Sequence, residues 1–260
     1  MDRKSYWNEM DYQYWKKRVE ETKKNSATSE IVHGDVKTEG DEVYIEIINK
    51  YPFLPGNILE IGCAWGRWFY LYKEYNLKIY GIDISSVMIR EAKKDWGLDT
   101  AVIHLEEAEA EDLPFESESF DNIACFAVFD ETFQDRALSE MFRVTKIGGM
   151  IYLTGKNDNY FLDDQLAIDA EIGARKKGHP NYFTDVRAMI DQIHKNGHLI
   201  VSSYFFPRRG DFAELNFQDS LPTHFYEFLL ILKKKGNKCH FAPFSDEFSK
   251  TFKFRESQSP

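Results

Sequence analysis

Two acidic residues, separated by a stretch that begins with small residues, form the first candidate for a ligand-binding site in this chain. Glu60 stands near the end of a short apolar run, and Asp83 ends a second apolar run about twenty residues later. Between them lie three small residues, Gly62, Ala64 and Gly66. Small residues let a backbone approach a ligand, and an acid ending the second strand can accept hydrogen bonds from two ribose hydroxyls. The pattern predicts a nucleotide-like ligand at the end of a sheet.

The glycine spacing argues against a dinucleotide. The dinucleotide fingerprint places a third glycine five positions after the first, where helix and strand pack closely. Counted from Gly62, that position is Arg67. The turn therefore lacks the third glycine of a pyrophosphate-binding loop, and the spacing fits a ligand without phosphates. A nicotinamide-dependent oxidoreductase is kept as a disfavoured alternative.

The elements that must position these residues alternate between strand and helix. Strands are predicted over 57–61, 78–82, 100–104, 120–129 and 150–154, and helices over 67–75, from Ser85 or Ser86 onward, and over 134–145. Such alternation predicts a parallel sheet with helices on both faces. Two helices, 5–24 and 42–50, are predicted to precede it.

The alternation stops after the fifth strand. Helices are predicted over 166–177 and 185–195, followed by strands over 199–206 and 225–232. These last two strands are joined without a helix, so they are expected to be antiparallel. The whole chain is interpreted as one domain, with 1–50 as an N-terminal helical lid, 57–155 as the ligand-binding core, and 156–182 and 207–224 as insertions.

Composition limits the class of partner. The chain has 260 residues, of which 43% are hydrophobic, enough for one α/β domain. Its formal net charge of -10 argues against a nucleic-acid partner, because no broad basic surface is indicated. No apolar run approaches the roughly 18 residues that cross a bilayer, so we expect a cytoplasmic protein without a membrane partner. The three cysteines are dispersed, which predicts neither a disulfide framework nor a metal site.

Four stretches stand in order along the chain, and together they carry a resemblance. They are EIGCAWG at 60–66, GIDIS at 81–85, EAEDLPF at 109–115 with SFD at 119–121, and MFRVTKIGG at 141–149. In this order they resemble the class I S-adenosylmethionine-dependent methyltransferases of the small-molecule group. The resemblance covers residues 57–155 and, more loosely, 181–232. It implies a Rossmann-like, doubly wound seven-stranded sheet, mostly parallel with an antiparallel last strand. It also implies S-adenosyl-L-methionine as cofactor and S-adenosyl-L-homocysteine as product.

The resemblance also implies a role for each matching position. Its cofactor-binding residues are Glu60, Gly62, Cys63, Ala64 and Gly66 around the methionine part, Asp83 at the ribose, Ile84, Met88, Glu109 and Ala110 at the adenine, Glu111 in the same acidic run, and Phe126 beside the sulfonium. Tyr14 and Arg18, on the predicted N-terminal helix, are added as residues that could close over the site. The chain departs from the family pattern at Ala64, where glycine is usual, and at Glu109, where aspartate is usual.

The methyl acceptor is less well defined by the sequence. A hydroxyl or ammonium acceptor must lose a proton, which calls for a general base. Asp130 and Glu131 follow the fourth strand, and His179 and Tyr182 lie in the first insertion; we predict Asp130, His179 and Tyr182 as catalytic. The short insertions favour a small polar acceptor, such as a carbohydrate- or phosphate-related metabolite. A non-catalytic module that binds S-adenosylmethionine is the alternative that the sequence leaves open.

Overall fold

A computed structural model describes residues 2–10, 31–33, 36–39, 41–97 and 102–258, with eleven strands in that part of the chain. They are β1 (Ile31–His33), β2 (Val36–Glu39), β3 (Asn57–Ile61), β4 (Lys78–Asp83), β5 (Ile103–Glu107), β6 (Phe120–Cys125), β7 (Thr145–Lys156), β8 (Phe183–Thr184), β9 (Leu199–Phe206), β10 (Glu227–Lys233) and β11 (Ser245–Asp246). β1 and β2 pair with each other, and so do β8 and β11. The other seven strands form the central sheet.

The described helices lie before, between and after these strands. They are α1 (Arg3–Ser5), α2 (Asp41–Lys50), α3 (Phe69–Glu74), α4 (Ser86–Trp96), α5 (Gln134–Val144), α6 (Gln165–Lys176), α7 (Val186–Lys195) and α8 (Lys250–Gln258). A π-helical turn, Tyr6–Met10, continues α1, and a 3-10 turn, Phe129–Glu131, precedes α5. Among the residues described, no helix combines the length and the apolar character needed to cross a membrane.

The central sheet has the strand order β5-β4-β3-β6-β7-β10-β9. The strands from β5 to β7 pair in parallel, whereas β10 pairs antiparallel with both β7 and β9. The prediction of a mostly parallel, seven-stranded sheet with an antiparallel last strand is therefore confirmed. The chain leaves β3 toward β4 on one side, and β6 lies on the other side. A crevice for a ligand forms at such a reversal, beyond the carboxyl ends of the strands.

Apolar layers cover both faces of this sheet, which explains why its strands are continuous apolar runs. One layer includes buried residues of α2, α3 and α4. The other layer includes buried residues of α5 and α7. On α5 the buried residues are Gln134, Ala137, Leu138, Met141, Phe142 and Val144, at the spacing of one helix face. These layers hold the strand ends, and so the loops that follow them, in fixed positions.

Several predicted boundaries were wrong, each for a local reason. β6 ends at Cys125 instead of residue 129, because Ala127 adopts a φ of 55° and the chain then enters the 3-10 turn. β7 begins at Thr145 instead of residue 150; its pairing with β6 skips from Thr145 to Met150, and Gly148 lies in that irregularity with a φ of 87°. β5 begins at Ile103, and residues 98–101 lie outside the described residues.

The two ends of the chain complete the fold. Of the helix predicted over 5–24, the described part is the π-helical turn Tyr6–Met10, which follows α1. Toward the C-terminus, β11 pairs with β8, and α8 begins beside a buried glutamate of α6. Glu171 accepts hydrogen bonds from the Ser249 hydroxyl at 2.7 Å and the Tyr160 hydroxyl at 2.6 Å. The C-terminal segment is thus part of the folded domain.

Candidate cofactor-binding site

The turn after β3 contains three residues in the left-handed region. Gly62, Ala64 and Gly66 have φ values of 70°, 46° and 82°. A Cβ on Gly62 would lie 2.4 Å from Val128 Cγ2, and one on Gly66 would lie 2.6 Å from the Phe69 ring. Glycine is therefore required at both positions for space as well as for conformation. Ala64 keeps the same conformation at a cost of roughly 1–2 kcal/mol.

Asp83 joins this turn to the end of β4. Its Oδ2 accepts a hydrogen bond from the Ala64 amide at 2.9 Å, and its Oδ1 accepts one from the Ser85 amide at 2.8 Å. Burial raises the pKa of Asp83 to about 6, although both backbone bonds act in the opposite direction. Each oxygen keeps a second lone pair for a ligand hydroxyl. The carboxylate is therefore held in position to accept from a diol.

The Glu60 carboxyl group is buried without a full set of hydrogen-bond partners. The residue is 3% exposed, and its Oε2 has no hydrogen-bond partner within the described part of the chain. Burial raises the pKa of Glu60 well above its ordinary value, and the Asp83 charge adds to this, whereas the Arg67 charge lowers it. A buried carboxylate oxygen without a partner is costly, and a cationic ligand group would satisfy it.

These acids and the groups around them line one cavity at the β3–β6 crevice. The lining includes ten of the predicted cofactor-binding residues: Glu60, Gly62, Cys63, Ala64, Asp83, Ile84, Met88, Ala110, Glu111 and Phe126. The apolar side chains of Ile84 and Met88 belong to the same lining as the two acids, which suits a flat heterocycle beside a ribose. The cavity therefore combines acceptors for a diol, an acid for a cation and an apolar wall.

Two residues of the predicted set lie outside the cavity lining, and two others are not among the described residues. Gly66 contributes space for Phe69 and Trp96 and is absent from the cavity lining. Glu109 is also absent from it; its side chain is 54% exposed, and its Oε2 lies 3.4 Å from Arg3 Nη2. Tyr14 and Arg18 lie outside the described residues.

The N-terminal segment contributes residues that the sequence did not indicate. Arg3 and Trp7 line the cavity. The Arg3 guanidinium donates to Glu111 Oε1 at 2.5 Å and to the Glu131 carbonyl at 3.2 Å, and it lies 4.3 Å from the centre of the Phe133 ring. These contacts span more than a hundred positions of sequence, so no local pattern could have revealed them. The segment 2–10 thus lies across one side of the cavity.

The cavity lining contains further aromatic and charged groups. Trp65, Trp68 and Arg67 belong to the lining, and the Arg67 guanidinium carbon lies 4.7 Å from the centre of the Trp68 ring. Trp65 lies within the turn of small residues, and Arg67 and Trp68 follow that turn. The cavity therefore has aromatic surface as well as carboxylates.

The three predicted catalytic residues cluster beside the cavity, outside its lining. Asp130 is buried and forms an ion pair with Lys156, whose Nζ also donates to Asn181 at 3.1 Å. Tyr182 donates its amide to the Asp130 carbonyl at 2.6 Å, and its ring centroid is 5.7 Å from that of Phe133. The catalytic roles of Asp130 and Tyr182 stay predictions.

His179 bridges the N-terminal segment and the turn before α5. Its Nδ1 lies 3.0 Å from the Tyr6 hydroxyl, and its Nε2 lies 3.1 Å from Glu131 Oε1. Glu131 belongs to the cavity lining. Burial lowers the pKa of His179, but the bond and charge of Glu131 raise it more, so the net pKa lies above its ordinary value. The structure thus joins His179 to the cavity through Glu131.

Comparisons with known proteins agree with this geometry. A family model described as "Methyltransferase domain" matches residues 59–153, the segment that carries both acids. An uncharacterized protein of Methanocaldococcus jannaschii is 28% identical over 125 residues, and the match spans 48% of this chain and 50% of that protein. The chain therefore aligns with about half the length of this relative.

Two solved structures with similar folds both have a TM-score of 0.57. One is an S-adenosylmethionine-dependent methyltransferase from Mesorhizobium loti, 17% identical, with 74% of this chain and 98% of that chain covered. The other comes from a complex between the Haloferax volcanii Trm112 methyltransferase activator and a methyltransferase, 15% identical, with 75% of this chain and 89% of that chain covered. At these identities the likeness concerns the fold. The match thus identifies residues 59–153 as similar to a methyltransferase domain, and the fold of this chain is similar to that of an S-adenosylmethionine-dependent methyltransferase.

Proposed function

We propose that this protein transfers the methyl group of S-adenosylmethionine to an oxygen or nitrogen atom of a small polar acceptor. The observation that carries the proposal is the pair of buried acids in one cavity, Glu60 and Asp83, within the matched methyltransferase domain. Glu60 Oε2 lacks a partner among the described residues, and a methionine-type ammonium is the kind of group that would supply one. The residues present therefore fit the cofactor.

Each part of the cofactor has a chemically suitable partner in the cavity. Glu60 would hold the ammonium, Asp83 would accept from the ribose hydroxyls, and Ile84 with Met88 would cover the adenine. When bound, the cofactor supplies an activated methyl group on a positively charged sulfur. The protein then has to align the acceptor and exclude water, and both tasks depend on how the cavity is closed. Arg3 and Trp7 contribute to that closure.

A small acceptor is supported by the way the cavity is covered. The segment 2–10 crosses it, and Arg3 fastens this segment to Glu111 and to the backbone at Glu131. A bulky macromolecule would have to displace these contacts. The formal net charge of -10 also disfavours nucleic acids. A carbohydrate- or phosphate-related metabolite is the acceptor class we propose.

Titration calorimetry with S-adenosylhomocysteine tests the proposal first. We expect saturable binding with one site per chain, and no binding at high micromolar ligand would contradict it. NADH in the same experiment tests the nicotinamide alternative, for which we expect no heat of binding. Formation of S-adenosylhomocysteine from S-adenosylmethionine across a panel of acceptors then separates an enzyme from a non-catalytic binding module.

A further inference from the structure

We propose that Glu131 is the general base of this site, and that the acceptor is therefore a hydroxyl or ammonium compound. A carboxylate is already an anion at neutral pH, and a thiol is partly ionised and intrinsically nucleophilic, so both depend on such a residue less than a hydroxyl or an ammonium does. This inference rests on the proposed function and deepens it. It also assigns the role of base to Glu131 instead of Asp130, its neighbour in the chain.

The position of Glu131 is set by the 3-10 turn Phe129–Glu131 after β6. The turn brings the Glu131 side chain into the same cavity lining as Phe126 and Val128. That side chain is 17% exposed, so it is accessible from the cavity but largely removed from bulk water. A carboxylate placed in this way can reach a ligand that enters beside Phe126.

One oxygen of Glu131 is held, and the other is available. Oε1 lies 3.1 Å from His179 Nε2, whereas no hydrogen bond of Oε2 is found among the described residues. A general base needs both features, because a hydrogen bond to one oxygen orients the carboxylate and a free lone pair on the other oxygen takes the proton. His179 is thus a positioning residue that acts through Glu131.

The neighbouring groups are less suited to accept a proton. Asp130 is committed to an ion pair with Lys156. Glu111 Oε1 accepts from Arg3 at 2.5 Å and from the Phe133 amide at 2.6 Å. Both ring nitrogens of His179 have partners, Tyr6 and Glu131. Glu111 also lines the cavity, but it is tied to Arg3 in an ion pair. Within the described residues, Glu131 forms no ion pair with a lysine or an arginine, and His179 is the partner of its side chain.

Burial and the charges around Glu131 bring its pKa close to neutral pH. The pKa of Glu131 is raised to about 7, mainly by burial. The hydrogen bond and charge of His179 lower this pKa, the charge of Asp130 raises it, and the charge of Lys156 lowers it. Two further groups of the N-terminal segment face the pair: Arg3, which donates to the Glu131 carbonyl, and Tyr6, which contacts His179. A carboxylate with a pKa near neutral is a stronger base than an ordinary glutamate.

The proton balance of the step is simple. The O–H or N–H bond of the acceptor breaks, and its proton moves to Glu131 Oε2. The electron pair left on the acceptor forms the new bond to the methyl carbon, and the electron pair of the broken carbon–sulfur bond stays on sulfur. Glu131 returns to the carboxylate when it releases the proton to water or to a neutral His179.

Activity of matched variants tests the assignment. Wild type, Glu131→Gln and Glu131→Asp are assayed with S-adenosylmethionine against glucose, glucose 6-phosphate and ethanolamine. Propionate, which is already ionised, and 2-mercaptoethanol, which is partly ionised and strongly nucleophilic, serve as acceptors that depend less on a base. Glu116→Gln, at an exposed position, is the control. We expect turnover with a hydroxyl or amine compound, a loss of about 100-fold or more in Glu131→Gln, and partial recovery in Glu131→Asp.

The pH dependence adds a readout that a purely structural role would not move. Turnover by wild type should rise through pH values near 7 as Glu131 ionises. His179→Asn keeps a hydrogen-bond donor but removes the positive charge that lowers the pKa of Glu131. The midpoint of its pH–rate profile should therefore move to higher pH, whereas that of Glu116→Gln should not move.

A measurement independent of activity tests the pair itself. The ring resonances of the 7 histidines are titrated by NMR, with His179→Asn to assign the signal of His179. In wild type we expect His179 to titrate above its ordinary pKa, and in Glu131→Gln its pKa should fall. An unchanged His179 pKa in Glu131→Gln would contradict the pairing.

The outcomes distinguish this inference from the proposed function. Retained S-adenosylhomocysteine binding with lost turnover in Glu131→Gln supports the base. Turnover of thiols or carboxylates alone, equal turnover in Glu131→Gln and wild type, or cofactor binding with no turnover of any compound would overturn it. Failure of wild type to bind S-adenosylhomocysteine would overturn the proposed function as well, and the calorimetric experiment shows which of the two has failed.

Discussion

The Asp83 carboxylate accepts a hydrogen bond from the Ala64 amide at 2.9 Å, which joins the loop after β3 to the end of β4. The same carboxylate accepts from the Ser85 amide at 2.8 Å, one residue before α4 begins. One side chain therefore sets the distance between the turn and the helix on either side of the proposed ribose position. This relationship gives Asp83 a structural role beside the ligand-binding role that we propose for it.

Replacing Asp83 with alanine should remove most of the cofactor affinity. The substitution deletes the acceptor for two ribose hydroxyls and leaves the Ala64 and Ser85 amides without their partner. We expect S-adenosylhomocysteine to bind about 10- to 100-fold more weakly by titration calorimetry. Asp169→Ala removes an exposed aspartate on α6 that accepts from Gln165 at 2.7 Å and should leave the affinity unchanged. Equal affinity in Asp83→Ala and wild type would rule out the assigned role.

Cofactor affinity should depend on pH through the same residue. The pKa of Asp83 is raised to about 6, so its carboxylate is ionised above that pH and protonated below it. The ionised form offers the better acceptor, so affinity for S-adenosylhomocysteine should fall as the pH drops from 7.5 toward 5, by about tenfold. Asp83→Asn lacks the titrating group, and its affinity should be weaker but flatter over this range. A parallel pH dependence in Asp83→Asn would assign the effect to another group.

Glu60→Gln should change stability and affinity in opposite directions. The pKa of Glu60 is raised well above its ordinary value by burial, so the charged form is disfavoured in the protein without ligand. The neutral amide avoids that cost, and we expect the free energy of unfolding at pH 8 to rise by about 1–3 kcal/mol in urea titrations.

The same substitution removes the charge that would meet the ammonium, and S-adenosylhomocysteine affinity should drop at least about tenfold. Glu46→Gln, at an exposed position of α2, is the matched control for both measurements. A loss of stability in Glu60→Gln would show that the carboxylate is compensated in the free protein.

Arg3→Ala and Lys4→Ala should separate an anchoring contact from a surface one. Arg3 donates to Glu111 and to the Glu131 carbonyl inside the cavity wall, whereas Lys4 pairs with Glu107 and its side chain is half exposed. Partly buried charged bonds contribute more than exposed pairs. We expect Arg3→Ala to weaken S-adenosylhomocysteine binding by about 5- to 30-fold and Lys4→Ala to have almost no effect.

Limited proteolysis of the N-terminal segment provides the second measurement for this pair. Arg3→Ala should be cleaved faster within the first residues than wild type, and bound S-adenosylhomocysteine should protect wild type. If both variants behaved alike, the segment would be held by contacts other than that of Arg3.

Local periodicity was enough to predict most of the core elements. The predicted strands 57–61 and 199–206 agree with β3 and β9, and the predicted helix 134–145 agrees with α5 to within one residue. These elements are buried against the two apolar layers, so their side-chain pattern carries the information. The ends of β6 and β7 were predicted less well, because Ala127 and Gly148 adopt left-handed conformations that residue type alone does not reveal.

The residues that line the cavity were largely predictable for a related reason. Glu60, Asp83 and the small residues between them lie in two adjacent strand–turn–helix units, where short-range geometry links sequence spacing to position. Arg3 and Trp7 were missed because their contacts with the cavity wall bridge distant parts of the chain. Such contacts depend on how the N-terminal segment lies across the folded domain.

Local periodicity and spacing in the sequence determined the parallel sheet with helices on both faces, the turn after β3 and the two acids of a nucleotide-like site. The resemblance carried by the four stretches then implied S-adenosylmethionine as the ligand. Only the tertiary structure separated Asp130 from Glu131. These residues are adjacent in a 3-10 turn, and successive side chains of a helical turn point in different directions. Asp130 meets Lys156, whereas Glu131 meets the cavity and His179, which comes from an insertion 48 positions away. Which carboxylate can receive a proton is thus decided by partners that only folding brings together.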